Sequence, residues 1–254
     1  MADIPGAGLL DAALGRLFGA RKLSAAIWDR DWKRVSRKCR KRPRLAKHWT
    51  LQRGFLDGET TTKVLPLHQA VITQPPLRVV QDLIDANHQS LRCGDLRFNR
   101  LPLHLACEGS ASFRLIRELI DRYPEACLVQ DKRGLLPLHY ALTKGASYMT
   151  IAHLLDHGRE AASYPDECGE LPLHKACTLL LSPMIVQELV EAYPEACEAL
   201  TSSGQSIGRT LLRHPESYRI EVMRVLDDET AVQQSEGEGA ETMNDRIGTT
   251  AAFR

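Results

Sequence analysis

Four histidines, His68, His104, His139 and His174, each close a Leu-Pro-Leu-His string. Imidazole is the side chain best suited to proton transfer or metal ligation near neutral pH, so these residues are the first candidates for chemistry. The strings begin at Leu65, Leu101, Leu136 and Leu171, at intervals of 36, 35 and 35 residues. Successive units of a stack lie roughly 10 Å apart, the packing distance of neighbouring helices. Ligands of one metal must all come within about 2.0–2.1 Å of it. One imidazole per unit therefore reads as part of a frame, bonded to the backbone of a turn. The seven cysteines follow the same period in part, Cys107 matching Cys177 and Cys127 matching Cys197. Such equivalence fits small buried side chains better than disulfides. Paired C-x-x-C, G-x-S-x-G, Walker A, H-E-x-x-H and dinucleotide-binding glycine patterns are all missing from the sequence. The expectation is a chain without catalytic residues, metal or cofactor.

The elements that carry these residues are helical. Pro66, Pro102, Pro137 and Pro172 suit the first turn of a helix, where the missing N–H costs nothing. An apolar set with helical spacing follows in each unit: Val79/Val80/Leu83/Ile84, Leu115/Ile116/Leu119/Ile120, Ile151/Leu154/Leu155 and Ile185/Val186/Leu189/Val190. The near copies Tyr123-Pro124-Glu125-Ala126-Cys127 and Tyr193-Pro194-Glu195-Ala196-Cys197 end two of these second helices, because proline cannot continue them. Gly134, Gly169 and Gly204 precede the next starts, where a tight turn calls for positive φ.

Helix, turn, helix and projecting hairpin-like loop around a Pro-Leu-His-x-Ala core resemble the ankyrin repeat. The period is slightly longer than that family's usual value of about 33 residues. The resemblance implies an all-α solenoid of roughly four full repeats over residues 60–205. Leu65, Leu101, Leu136 and Leu171 stand where the family commonly has Thr, so each histidine must find a partner other than that hydroxyl.

A solenoid needs polar terminal units. A basic cap repeat is expected over 24–59, with its helices around Trp28 and Trp32–Ala46. A C-terminal cap is expected over 206–226. Residues 1–23 carry an amphipathic stripe (Leu9, Leu10, Ala13, Leu14, Leu17, Phe18) that would cover the first repeat. Residues 227–254, with seven acids before Arg246 and little apolar content, read as a disordered tail.

The net charge of +1 hides segregation, since residues 21–53 hold thirteen Lys and Arg against Asp29 and Asp31, or +11. Within this segment Trp28, Trp32, Val35 and Cys39 would face the array. Arg34, Arg37, Lys38, Lys41 and Arg42 would point outward, and the basic patch of Arg37, Lys38, Arg40, Lys41 and Arg42 reads as a solvated face, an import signal or a polyanion contact over 30–47. No run of about 20 apolar residues suggests a membrane span. The absence of a secretory signal pattern and of sequons suggests a reduced intracellular protein, cytoplasmic or nuclear, and a monomer.

In proteins of the resembled family, loop tips and first helices form a concave partner-binding face. Carried onto this chain, that face comprises Arg97, Phe98, Arg100, Lys132, Arg133, Leu135, Glu167 and Glu170 at the tips and Tyr140 and Lys144 on the helices. Phe98, between two arginines, is expected to be an exposed interface aromatic. The function this implies is a non-catalytic scaffold that binds another protein. The alternative is a nuclear regulator whose basic segment contacts nucleic acid or an import receptor.

Overall fold

Each first helix is seven residues long and each second helix ten, too short to be stable alone in water, so the fold must come from packing their apolar faces. In the computed structural model of the chain, which describes residues 19–53, 55 and 61–227, that packing is regular. The amphipathic stripe before residue 19 and the acidic tail after 227 lie outside the described residues.

The first helices are α3 (Pro66–Ile72), α5 (Pro102–Glu108), α7 (Pro137–Thr143) and α9 (Pro172–Thr178), each with its proline in the first turn. The residue before each proline is an extended Leu, as the proline ring requires. The second helices are α4 (Leu77–Ala86), α6 (Phe113–Arg122), α8 (Tyr148–His157) and α10 (Pro183–Ala192). The apolar sets read from their sequences are buried throughout. At about 1.5–3 kcal/mol per buried aliphatic side chain, one such face supplies most of the force holding its repeat.

The chain divides into two compact units, Met1–Ala161 and Ala162–Arg254, a division inside the expected 60–205 array. In the first unit α3 packs on α5 and α5 on α7, while α4 packs on α6 and α6 on α8. Before them stand α1 (19–28), α2 (Trp32–Lys41) and a 3-10 turn, Pro43–Lys47, with α2 packed on α4. A two-stranded antiparallel hairpin, β1 (Thr50–Arg53) with β2 (Thr61–Val64), pairs Thr50 with Val64 and Arg53 with Thr61. In the second unit α9 packs on α10 and on α11 (Ile207–Leu211), and α12 (216–227) follows.

The cap corrects one expectation. Val35 and Cys39 are buried, Trp32 is half-buried, and Trp28 is 44% exposed. The helix breaks between the two tryptophans, with Arg30 at φ 55, so the 4-3-4 spacing does not run along one helix.

Candidate binding surface

The histidines lock each helix start to its neighbour. Nδ1 of His68, His104 and His139 accepts the backbone N–H of the Leu three residues earlier, at 3.0, 3.1 and 2.9 Å. This bond supplies what the missing Thr hydroxyl cannot. Nε2 donates onward to a carbonyl, Cys93 for His68 at 2.8 Å and Leu135 for His104 at 3.2 Å. In the second unit His174 Nε2 likewise meets the Ala199 carbonyl at 3.1 Å. Burial pushes the imidazoles of His68 and His104 down to about 4, so both are neutral at physiological pH. Neutral rings with one donor and one acceptor match this wiring at His68 and His104, while in the second unit His174 Nδ1 is buried without a partner.

The hairpin tips rest on a repeated device. A buried or half-buried residue opens each tip: Asp95, Asp131, Asp166, and Thr201 in the last. Asp131 Oδ1 accepts the N–H groups of Arg133 and Leu135 at 2.8 and 2.9 Å, and Asp166 Oδ1 accepts those of Cys168 and Glu170 at 2.8 and 3.0 Å. Thr201 Oγ1 accepts the N–H of Gln205 at 3.1 Å. Gly134, Gly169 and Gly204 adopt the left-handed conformation their position called for, at φ 77, 72 and 70. The 36-residue first interval is explained by the first tip, where an extra residue sits between Asp95 and Leu101 and Asn99 takes the left-handed place at φ 58.

Each carboxylate also takes a side-chain partner. Tyr140 donates its hydroxyl to Asp131 at 2.7 Å, and Lys175, three residues after Pro172 as Tyr140 is after Pro137, bonds Asp166 at 3.0 Å. The equivalent position in the second repeat is Leu105, and Arg100 takes over that role, pairing with Asp95 and with Glu108 at 2.9 Å each. Arg100 and Tyr140 are thus corrections to the expected partner-binding set: both are buried and engaged inside the protein. Phe98 is a third. It is half-buried, clamped between the Arg97 and Arg100 guanidiniums at 4.6 and 4.8 Å from its ring centre.

The tips of the first unit are bonded side by side. Leu96 N–H donates to the β2 carbonyl of Lys63 at 3.2 Å, and Lys132 N–H donates to the Phe98 carbonyl at 2.8 Å. Lys132 Nζ reaches the Leu96 carbonyl at 3.0 Å. Hairpin β1–β2 and the first two tips therefore form one row. It exposes Leu96, Lys63, Lys132 and Arg133, with Arg97 and Leu135 half-covered and Lys144 exposed at the end of α7. Beside β1 a cavity of about 570 Å³ is lined by Trp28, Trp49, Leu51 and Lys63. In the second unit the Ser202 hydroxyl donates to the Cys168 carbonyl; Glu167 is exposed and Glu170 bonds Lys175 at 3.0 Å.

The basic segment splits in two. Arg40 forks onto Asp82 of α4 at 3.0 and 3.2 Å and joins the cap to the first repeat. Lys22, Arg37, Lys38, Lys41 and Arg42, with Gly19 and Leu45, line a cavity of about 460 Å³ with no acidic side chain among its described lining residues. Burial, then the charges of Arg34, Lys22, Arg42 and Arg37, hold the Lys38 ammonium below its usual range. Cys39, Cys127 and Cys177 are pushed up to about 12 by burial, and Cys107 is pushed up further still, so these thiols are inert packing groups.

Stacked helix pairs with projecting, laterally bonded hairpins define a helical repeat protein whose non-repeating side chains sit on one edge. Residues 86–141, from the end of α4 into α7, match the family model described as ankyrin repeats (many copies), so this stretch of the chain is similar to ankyrin repeats. Ankyrin repeats generally mediate protein–protein interaction and are typically non-catalytic. A search of curated proteins found no match. Among the described residues no helix is long and apolar enough to cross a membrane.

Proposed function

We propose that the chain is a non-catalytic scaffold that binds an acidic segment of a partner protein through the hairpin row of its first unit. The observation that carries this reading is the backbone bonding from Lys63 to Leu96 and from Phe98 to Lys132, which fixes the spacing of the tips before any partner arrives. A surface that is already ordered loses little conformational entropy on binding. Its exposed groups suit an acidic ligand with an apolar anchor, because the exposed Lys63 and Lys132 both bond to Leu96, which is itself 55% exposed. Leu96→Ser with Lys132→Glu removes the anchor and reverses one charge without touching a buried side chain. Comparing what the native and doubly substituted chains retain from a lysate tests the assignment.

A second reading rests on the five cations of the Lys22–Arg42 cavity. Positive charge clustered with no acid among the described lining residues favours a polyanion, whose binding weakens steeply with salt through counterion release. The chain should be retained on heparin, and Lys38→Met with Arg42→Ala should move its elution to distinctly lower salt. Elution at unchanged salt would remove the cavity from consideration.

A further inference from the structure

We propose that Asp121, His153 and His157 form a site for one divalent transition-metal ion, zinc by ligand type, that clips α6 to α8. The two histidines lie four residues apart on α8 and so share a face, while Asp121 comes from the last turn of α6, against which α8 packs. One ligand atom from each lies within 4.8 Å of the others. This cluster lies apart from the once-per-repeat histidines, of which His68 and His104 have both nitrogens bonded to backbone.

The donors are prepared for a metal in two ways. His157 Nδ1 donates to the backbone carbonyl of His153 at 3.0 Å, which orients the ring and leaves the lone pair on Nε2. A second-shell bond of this kind accompanies most metal-bound histidines. His153 Nε2 is buried and has no hydrogen-bond partner, its nearest acidic atom being Asp121 Oδ1 at 3.8 Å, too far for a hydrogen bond. A buried nitrogen left in this way costs stability unless something fills the gap. Phe113 packs edge-on to the His153 ring at 5.8 Å and holds it in place.

Closing on zinc at about 2.0–2.1 Å brings tetrahedral ligands to about 3.3 Å from one another. Rotation of Asp121 and His157, both exposed, supplies that contraction. Asp121 and Asp156 favour a cation here, and Arg117, on the other Asp121 oxygen at 3.4 Å, opposes it. Two imidazoles and one carboxylate select zinc, copper or nickel over magnesium or calcium. The ion would join the second repeat to the third and stiffen the frame under the hairpin row.

The test is a zinc titration of the chelator-treated full chain, followed by calorimetry and by the thermal unfolding midpoint. One equivalent should bind saturably and raise the midpoint, and cobalt in its place should give visible d–d absorption. His157→Gln and Asp121→Asn, both at exposed positions, should keep the circular dichroism spectrum and weaken zinc binding by about tenfold or more. No saturable binding would overturn the proposal. So would binding that survives His157→Gln, or binding that Cys168→Ser abolishes, since Cys168 is an exposed free thiol.

Discussion

Between pH 6.5 and pH 4 the chain should lose about 6 kcal/mol of stability through His68 and His104 alone, roughly 3 kcal/mol each. Both imidazoles fall from an ordinary 6.5 to about 4 in the folded chain, chiefly through burial. The unfolded chain therefore binds protons that the folded chain refuses. Their stabilising effect is complete above pH 6.5, declines as the pH falls and is exhausted near pH 4. By pH 5 the loss is about 2 kcal/mol per histidine. Asp82 and Asp166, held below the ordinary carboxylate value of 3.8, contribute above that value and lose their effect at still lower pH, so they do not mask the histidine window. Small domains are stable by only about 5–15 kcal/mol, so a loss of this size is visible as early unfolding. Urea titrations followed by tryptophan fluorescence at pH 7.5 and pH 5 should show the midpoint falling sharply. An unchanged midpoint would mean that the histidines are not buried as neutral rings.

Arg100→Ala should cost about 3–5 kcal/mol, far more than the loss of a surface contact. Its guanidinium pairs with Asp95, whose side chain has no exposure at all. Removing it strands that carboxylate, frees Glu108 and takes one wall from the Phe98 ring. Glu108→Gln should cost much less, because Glu108 is 21% exposed and water replaces the lost charge pairing. The comparison separates the two roles open to Arg100. A partner-contacting arginine would lose binding with its unfolding free energy intact; a structural one loses stability first. A cost under about 1 kcal/mol would return Arg100 to the binding surface.

The helices were legible because their signals are local. Proline at the start, glycine at φ above zero and an apolar face each constrain a handful of neighbouring residues, and four copies repeat them. The tip carboxylates Asp95, Asp131 and Asp166 also repeat, and an Asp with a turn glycine three residues later in two copies was the available sign. It was obscured by the first tip, where one extra residue shifts the register and Asn99 replaces glycine. The strands Thr50–Arg53 and Thr61–Val64 are four residues each, too short for alternation to distinguish them from loop. Trp28 was misplaced because a helix break rotates the face, and the backbone reversal at Arg30 has no marker residue such as glycine. Arg100 and Phe98 look like surface because tips project, and Tyr140 because the first helices form the floor of the expected face. Whether a tip side chain turns in or out depends on the tertiary partner it finds, and Asp95 and Asp131 supplied those partners. His153 and His157 carry the i, i+4 spacing openly, but the third member of their cluster lies on another helix.

The proposed function implies a division of labour, in which buried histidines and aspartates hold the frame and the bonded hairpin row of the first unit would choose the partner. The most direct test measures both properties on the same molecule, Leu96→Ser with Lys132→Glu, beside a control at the exposed Met149 on α8. The account predicts an unfolding midpoint equal to that of the native chain together with loss of the proteins the native chain retains, and full retention by Met149→Ser. Retention of the same proteins by the doubly substituted, folded chain would contradict it.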